Sequence, residues 1–198
     1  MEAAWRDFPA VELSPILEVA LREIVAHGYD ATSVRTIARE VGVTVPALYY
    51  HFENKQAMLA ALLDHAMGIV TEHVEGALAE AGDDPTARLG AVVEAIVLYC
   101  AHHRDLAFLD SERRSLTPAN LRRYVAHRDR IESQLREIIE DGCSRGVFRT
   151  TETEECGRAI LAMCQGVAGW FDPRGELTPE ATARRYATIA LAAVRAAG

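Results

Sequence analysis

Four positions in the chain pair a helix-capping side chain with a proline, and this punctuation constrains the fold more than any other feature. They are Ser14-Pro15, Asp84-Pro85, Thr117-Pro118 and Thr178-Pro179. A Ser, Thr or Asp side chain accepts hydrogen bonds from free amides at a helix start. Proline fits the first helical position because no amide partner is lost there. Alternating runs of Val, Ile and Thr, which are typical of strands, are rare. The sequence therefore predicts an all-α fold.

About nine helices follow from these starts, from apolar residues at helical spacing and from glycines at helix ends. The expected ranges are 15–27, 34–41, 45–52, 55–80, 85–103, a short helix ending near 111, 118–144, 152–171 and 179–196. The apolar stripe of the helix over 118–144 includes Tyr124 and Val125. The first three helices predict a small N-terminal domain, residues 1–55, which continues into the long helix from residue 55. Residues 56–198 predict a larger helical bundle.

The charge balance and the apolar pattern exclude several classes of protein. The formal net charge is −8. This argues against a histone-like protein held on DNA by bulk charge, but it leaves room for a small local contact patch. No run of 18 or more apolar residues is present, so no membrane span is predicted. Acidic Glu2 and Asp7 stand where a signal peptide would carry basic residues. We expect a soluble, cytoplasmic protein.

Signals for enzymatic, redox or metal chemistry are weak. The chain has no Gly-rich phosphate loop, no G-x-S-x-G and no H-E-x-x-H motif, so an enzyme is not predicted. Its four cysteines are Cys100, Cys143, Cys156 and Cys164. None lies in a C-x-x-C pair, and reduced thiols packed as small apolar residues are expected. We predict no metal site and no cofactor.

Residues 33–55 have the pattern of a helix-turn-helix followed by the start of a further helix. Ser33 caps a short helix in which Ala38 faces inward and is small enough for the second helix to approach. Gly42 is predicted to take the positive φ that a tight turn requires. The side chains expected to point to the core after this turn are Val43, Leu48 and Phe52.

The other side chains of the second short helix are candidates for contact with double-stranded DNA. Thr44 and Tyr50 can hydrogen-bond to base edges in the major groove. Apolar contacts with thymine methyl groups are expected from Val45, Pro46 and Ala47. Tyr49 and His51 flank the helix and are better placed for phosphates. This small, weakly polar set predicts affinity that depends on a few phosphate contacts.

Three further candidates lie at helix starts. Ser33 and Arg35 begin the first short helix, and Arg35 can reach a base edge or the DNA backbone. Lys55 opens the long helix, where the helix dipole and the free amides already favour an anion. It is the only lysine among 21 Lys and Arg residues, so codon bias is a poor explanation for it. We expect Lys55 to anchor a DNA phosphate; the alternative is a solvated surface residue.

A resemblance to the TetR family of transcriptional regulators is carried by residues 32–65, TSVRTIAREVGVTVPALYYHFENKQAMLAALLDH. The family pattern places a Ser or Thr before the second helix and a Lys at the start of the fourth. Between them it has Ile-Ala, Gly-Val-Ser/Thr and Leu-Tyr-x-His-Phe. Each element occurs here, in Ser33, Ile37-Ala38, Gly42-Val43-Thr44, Leu48 to Phe52 and Lys55. Pro46 departs from the glycine of many members and is expected to alter base contacts, not the fold.

The resemblance implies a homodimer with two recognition helices about 34–36 Å apart on a palindromic operator. It implies repression that a small ligand relieves. It also implies that the last two helices form most of the dimer interface. Small or apolar residues on those helices fit this role, namely Ala159, Ala162, Gly166, Ala168, Gly169, Ala181, Ile189, Ala190, Leu191, Ala193 and Val194. The alternative is ordinary packing within one chain.

The C-terminal run over 166–191, GVAGWFDPRGELTPEATARRYATIAL, resembles the ending of one TetR subgroup. Members of that subgroup respond to acyl-CoA thioesters and regulate fatty-acid or steroid-ring degradation. The resemblance implies a small hydrophobic effector, an acyl-CoA, which needs an apolar tunnel and cations for its phosphates. The expected ligand-binding residues are Tyr99, His103, Phe108, Arg123 and Trp170. Other arginines between 104 and 130 are further candidates, unless they pair with acids on solvated helix faces.

Two other functions stay open from the sequence. One is a TetR-like regulator of an efflux or drug-resistance gene that binds diverse lipophilic compounds. The other is a helical protein-docking module that retains a helix-turn-helix. Exposed Tyr50, His51 and Lys55 argue against docking, because a docking module needs no phosphate anchor.

Overall fold

The computed structural model describes residues 4–195 of the 198-residue chain. Over that range it contains nine α-helices and no strand, which confirms the predicted all-α fold class. The helices are α1 (Pro15–His27), α2 (Val34–Val41), α3 (Val45–His51), α4 (Lys55–Ala81), α5 (Pro85–His102), α6 (Arg104–Phe108), α7 (Pro118–Ser144), α8 (Thr153–Trp170) and α9 (Pro179–Arg195). Short 3-10 turns cover Ala4–Arg6 and Leu109–Ser115. Ala196, the expected last residue of the final helix, lies outside the described residues.

The capping hydrogen bonds confirm the predicted helix starts. In each case a side-chain oxygen accepts from the amide three residues further along, at 2.9 to 3.4 Å. The acceptors are Ser14, Asp84, Thr117 and Thr178. The segment expected to be helical as far as residue 111 leaves the α-helix at Phe108. There, Ser111 and Arg113 donate to carbonyls three residues back, and such local bonds compete with the helical ladder.

The chain divides into two compact units. The helix-turn-helix unit comprises Ala10–Gly68 and Asp105–His127. The C-terminal unit comprises Ile69–Arg104 together with the described residues before Ala10 and after His127. The grouping therefore does not follow chain order, because a segment from the second half of the chain packs with the helix-turn-helix.

The core of the helix-turn-helix unit is the shared buried face of its helices. Ile24 of α1, Ile37 of α2 and Leu48 of α3 are each at most 1% exposed. The first half of α4 adds Met58, Leu59, Leu62 and Leu63, which are equally buried. Each such side chain stabilises the fold by about 1.5–3 kcal/mol relative to an exposed position. This burial fixes the inward face of α3 and thereby its outward face.

The core of the C-terminal unit is built around α5. An unbroken run from Ala95 to Ala101 is buried on every side, as expected for a helix enclosed by others. Its neighbours are α8 and α9. Near the end of α7, a Cβ atom on Gly142 would lie 2.1 Å from the ring of Phe148, so only glycine allows this close approach.

The N-terminal turn is held on the C-terminal unit by Trp5 and Arg6. The indole Nε1 of Trp5 donates to Glu80 at 2.8 Å, and Arg6 pairs with Glu80 at 3.0 Å and Glu94 at 3.2 Å. The hydrogen bond from Trp5, and to a smaller extent the one from Arg6, holds the pKa of Glu80 below its ordinary value. A Cβ atom on Gly76 would lie 2.9 Å from Cβ of Trp5, so glycine permits this packing.

Two residues expected in the core are instead solvent-exposed. Val43 is 38% exposed because it lies in the turn, before α3 begins to present its apolar side. Val125 is 39% exposed, next to Tyr124, which is 5% exposed. Successive residues on a helix point about 100° apart, so the two neighbours cannot face the same core. No helix within residues 4–195 has both the length and the apolar character to cross a membrane.

Candidate DNA-binding surface

The turn between α2 and α3 has the backbone geometry of a helix-turn-helix. Gly42 has φ 81° and ψ 27°, the left-handed conformation that favours glycine. Its amide and that of Val43 both donate to the carbonyl of Ala38, at 3.0 and 2.9 Å. Thr44 then starts α3 by accepting from the amide of Ala47 at 3.3 Å. The predicted positive φ at Gly42 is thus confirmed, and the hydroxyl of Thr44 caps α3.

Helix α3 has one buried side and one open side. Leu48 is completely buried, whereas Tyr50 is 88% exposed and Tyr49 is 47% exposed. The other exposed candidates are Thr44, Pro46, Ala47 and His51, with Val45 half-buried. The rings of Tyr50 and His51 are nearly perpendicular, with 5.5 Å between their centroids. A large side chain held outward on a rigid helix is available to a partner.

The two candidates on α2 differ in availability. The hydroxyl oxygen of Ser33 accepts from the amide of Thr36 at 3.0 Å and lies 2.8 Å from the Thr36 hydroxyl, so it serves the helix start. Arg35 is exposed and forms no ion pair with any residue of the described range 4–195. The nearby Arg39 pairs with Glu40. Arg35 is therefore available to an anion at the start of α2.

Lys55 is directed at the α1–α2 turn, which differs from the expected solvent-facing anchor. Its Nζ donates to the carbonyls of Tyr29 at 2.7 Å and Thr32 at 2.8 Å. The ammonium also lies 4.0 Å from the centre of the Tyr29 ring, a cation–π distance. An ammonium has three protons, so these bonds use two of them. A phosphate contact by Lys55 stays a prediction. The groups left for it are the third ammonium proton and the backbone amides of the first turn of α4.

Sequence reasoning missed Gln56. Its amide nitrogen donates to the Tyr29 hydroxyl at 2.9 Å and to the carbonyl of Ser115, and its amide oxygen accepts from the amide of Thr117 at 2.9 Å. Burial raises the pKa of the Tyr29 hydroxyl, and the hydrogen bond from Gln56 partly opposes this. The partners lie 27 to 61 positions away in the sequence, so no local pattern marks this residue.

The predicted effector residues fall in both units. In the C-terminal unit, Tyr99 is buried and its ring centroid lies 5.9 Å from that of His103. Trp170 is 50% exposed and stacks on Tyr186, with ring centroids 6.2 Å apart. Phe108, which is 42% exposed, belongs to the helix-turn-helix unit. The structure therefore brings the rings of Tyr99 and His103 into edge contact.

Several of the candidate arginines pair with acids. Arg123, the fifth predicted effector residue, lies in the helix-turn-helix unit and binds Asp64 at 2.6 and 3.2 Å. The pairs Arg113–Asp110 and Arg130–Glu75 each have an N–O distance of 2.7 Å. Arg114 and Arg122 are exposed and form no ion pair among the described residues. The set thus contains both paired and available cations.

The small or apolar residues predicted for the dimer interface differ in burial, and two of them, Ala181 and Leu191, are half-buried. Ala168, Ala190 and Val194 are buried within the chain. An exposed group faces outward and comprises Ala159, Ala162, Gly166, Gly169, Ile189 and Ala193. Ile189 is 53% exposed. Helices α8 and α9 thus each carry exposed small or apolar side chains.

Metal-binding groups are not clustered in the described part of the chain. Within it, no three His, Cys, Asp or Glu side chains lie together in a way that could hold a metal ion. None of the four cysteines forms a disulfide, and burial raises the pKa of the Cys164 thiol.

Taken together, the fold and the open face of α3 define a helix-turn-helix protein with a helical C-terminal region. Two family profiles match the chain. One, described as "Bacterial regulatory proteins, tetR family", covers residues 16–62. The other, described as "Tetracyclin repressor-like, C-terminal domain", covers residues 82–194. The chain belongs to the TetR family of transcriptional regulators.

Individual relatives agree with this family. A transcriptional repressor, KstR2 of Rhodococcus jostii, is 30% identical over 189 residues, which cover 89% of this chain and 87% of that protein. The crystal structure of the TetR family regulator PfmR of Thermus thermophilus has a TM-score of 0.82 and 33% identity, covering 90% of this chain and 98% of that one. The structure of AibR in complex with isovaleryl coenzyme A and operator DNA has a TM-score of 0.79 and 25% identity, covering 91% and 96%. The chain is thus a member of a family of DNA-binding transcriptional regulators, and one solved relative, AibR, binds isovaleryl coenzyme A and operator DNA.

Proposed function

We propose that this regulator is a repressor, that it reads a palindromic operator with the open face of α3, and that it releases the operator when an acyl-CoA thioester binds. The observation that carries the DNA-reading part is Tyr50, 88% exposed on a helix whose opposite side chain, Leu48, is completely buried. A helix held rigidly by its buried side can present base-reading groups without a large ordering cost. Solvent exposure of an aromatic ring on that helix has no use within the chain.

The DNA-facing residues divide by chemistry. Tyr50 and Thr44 supply hydrogen bonds to base edges. Contacts with thymine methyl groups come from Val45, Pro46 and Ala47. Arg35, Tyr49 and His51 supply the phosphate contacts that set the register on the duplex. With a net charge of −8, each subunit makes few such contacts, so a dimer is needed to double them.

Dimerisation is assigned to the outward faces of α8 and α9. Small side chains let two helices from each subunit approach closely, as a four-helix interface requires. A two-fold axis between the subunits also explains why the operator should be palindromic.

The effector proposal rests on the C-terminal sequence and on the available cations. AibR, which shares the fold, has been crystallised with isovaleryl coenzyme A. Arg114 and Arg122 are exposed and free of acidic partners in the described range, so they are suited to the phosphates of coenzyme A. Tyr99, His103, Phe108, Arg123 and Trp170 are retained as candidates for contact with the effector. We further infer that the protein acts in the cytoplasm, where its DNA is, and catalyses no reaction.

The test begins with DNA selected by the purified protein from genomic fragments. Fluorescence anisotropy then compares wild type with Tyr50→Ala on the selected duplex and on a scrambled duplex. We expect the variant to lose most of the preference for the selected duplex while keeping its affinity for the scrambled one. If the wild type selects no fragment, or if Tyr50→Ala keeps its full preference, the DNA-reading proposal is wrong.

The effector part is tested by calorimetric titration of the free protein with acetyl-, isovaleryl-, octanoyl- and palmitoyl-CoA. Free coenzyme A is the control for the nucleotide alone. We expect the thioester of one acyl chain length to bind best and to lower the affinity of the protein for the operator. By linkage, the operator should lower the affinity for that thioester by the same factor. Equal heats from all thioesters and free coenzyme A, or no heat at all, would reject an acyl-CoA effector.

A further inference from the structure

Two of the four cysteines lie at the two ends of the segment that joins α7 to α8. Cys143 is the last residue but one of α7, and Cys156 lies in the first turn of α8. Both side chains are half-buried, so each keeps some surface in contact with solvent. The whole segment belongs to the C-terminal unit, away from the DNA-reading helices in the chain.

The backbone folds back tightly after α7. Gly146 takes a left-handed φ of 69°, and the amide of Val147 donates to the carbonyl of Gly142 at 2.8 Å. Further along the segment, the amide of Thr150 donates to the carbonyl of Val194 in α9 at 3.2 Å. These backbone bonds hold Thr150 in one place relative to the end of α7.

Thr150 is the residue that both thiols contact. The thiol of Cys143 donates to its carbonyl with 3.5 Å between sulfur and oxygen, and the sulfur of Cys156 lies 3.2 Å from its hydroxyl oxygen. Burial is the main cause that raises the pKa of the Cys143 thiol, and the charge of Cys156 is the second. The two sulfurs are therefore neighbours on either side of one residue, although 13 positions separate them in the chain.

The other two cysteines form a second pair, which is buried. Cys100 of α5 and Cys164 of α8 are 3% and 0% exposed. Burial, and then the nearby Cys100, raise the pKa of the Cys164 thiol. Oxidation requires a thiolate that the oxidant can reach, so a pair in this environment is inert while the protein is folded. The buried pair thus serves as an internal reference for the half-buried one.

We propose that Cys143 and Cys156 form a reversible oxidation site, which a peroxide converts into a disulfide that joins the end of α7 to the start of α8. Cys156 is the sulfur oxidised first, because the raised pKa of Cys143 lowers the fraction of that thiol present as thiolate. Cys143 then acts as the resolving thiol, a role that requires a neighbouring sulfur rather than a reactive one.

The reaction consumes one peroxide for each disulfide. The Cys156 thiolate attacks one peroxide oxygen, so that the O–O bond breaks, a sulfenic acid forms and the departing hydroxide takes up a proton to give water. The Cys143 thiolate then attacks the sulfenic sulfur, so that the S–S bond forms, the S–O bond breaks and a second water leaves. The two thiols have lost two electrons and two protons, and the peroxide has been reduced to water. A dithiol reductant reverses the reaction by thiol–disulfide exchange.

The test treats reduced, folded wild-type protein with hydrogen peroxide and then blocks the remaining thiols with N-ethylmaleimide in urea. Intact mass gives the number of blocked thiols, and peptide mapping without reductant identifies the cysteines that are joined. We expect two of the four thiols to be lost, with a single disulfide between Cys143 and Cys156, while Cys100 and Cys164 are both blocked. Dithiothreitol should restore all four thiols. Peroxide added after unfolding in urea should also join other pairs, because the fold no longer selects the partner.

Three substitutions check the assigned roles, and melting temperatures show that each variant is folded. Cys143→Ser removes the resolving thiol, so the reaction should stop at the Cys156 sulfenic acid, which dimedone labels. Cys156→Ser should abolish both the disulfide and most of the dimedone labelling. Cys100→Ala is the matched control, since it removes a buried thiol and should leave the yield of the Cys143–Cys156 disulfide unchanged.

The wild-type experiment alone can overturn the proposal. It is wrong if the folded protein loses no thiols, or if Cys100 or Cys164 is oxidised as readily as the half-buried pair. It is equally wrong if Cys156 accumulates sulfenic or sulfinic acid without a disulfide, because the two sulfurs would then not meet. None of these measurements uses DNA or an effector, so their outcome does not depend on the proposed function.

Discussion

The turn at Gly42 allows a prediction whose size can be worked out from the structure. Its φ of 81° lies in the left-handed region, and a Cβ atom built there would meet nothing within 4 Å. Gly42→Ala therefore introduces no clash, and its native-state cost is that of the backbone conformation alone, about 1–2 kcal/mol. Alanine also lowers the conformational entropy of the unfolded chain, which raises the free energy of unfolding by about 0.4–1 kcal/mol. The net expectation is a loss of roughly 1 kcal/mol in the free energy of unfolding.

Gly68 supplies the matched control. It lies within α4 without a positive φ, and a Cβ atom there also meets nothing within 4 Å. The same substitution at this helical position should stabilise the protein by about 0.5–1 kcal/mol. The two variants thus differ in sign because of the backbone conformation alone. Gly42→Asn should fall between them, since asparagine tolerates the left-handed conformation better than alanine.

The assay is urea denaturation followed by circular dichroism, with all variants at one protein concentration, because a dimer's stability depends on concentration. Anisotropy on the selected duplex then shows whether a folded Gly42→Ala protein keeps its turn. If Gly42→Ala proved as stable as Gly68→Ala, or if asparagine were worse than alanine, the left-handed turn would not be the reason for glycine at this position.

Three other predictions follow from the buried core, the open face of α3 and the N-terminal turn. Leu48→Ala should cost about 2–5 kcal/mol of stability, because Leu48 is fully buried, and urea denaturation measures this. Tyr50→Phe should retain part of the operator preference that Tyr50→Ala loses, with little change in stability, as competition anisotropy would show. Glu80 has a lowered pKa, so its bonds to Trp5 and Arg6 stabilise the N-terminal turn above the ordinary value of 4.5 and fail as pH falls through the folded-state pKa. Trp5 fluorescence should therefore change on acidification, and Glu80→Gln should abolish that acid transition; a transition unchanged in the variant would contradict this assignment.

Much of the fold is predictable from local sequence signals. The helix ranges 15–27, 34–41 and 118–144 agree with the sequence prediction to the residue, because a capping side chain or a glycine marks their ends. The left-handed turn at Gly42 and the burial of Leu48 also follow from local spacing. Such features depend on contacts three or four residues apart, which the sequence shows directly.

The wrong predictions of burial concern side chains whose surroundings depend on more than local spacing. Val43 and Val125 are apolar by sequence and exposed in the structure, because helix rotation and the turn, not residue type, decide which side faces the core. A second feature without a local signal is the position of Phe108 and Arg123, which lie in the helix-turn-helix unit although the chain reaches them only after residue 100; their contact with an effector stays a prediction. Long-range packing, which has no local signal, placed them there.

Lys55 shows most clearly which properties the sequence determines and which the folded structure determines. The sequence alone determined that a unique lysine opens the long helix after a helix-turn-helix, because helix starts and composition are local properties. Only the tertiary structure decided where its charge goes, since the Tyr29 and Thr32 carbonyls come from a turn 23 to 26 positions earlier in the chain. No sequence pattern marks its neighbour Gln56, whose three hydrogen-bond partners also come from distant segments. Buried carbonyls and amides must find hydrogen-bond partners, and the folded chain determines which side chains supply them.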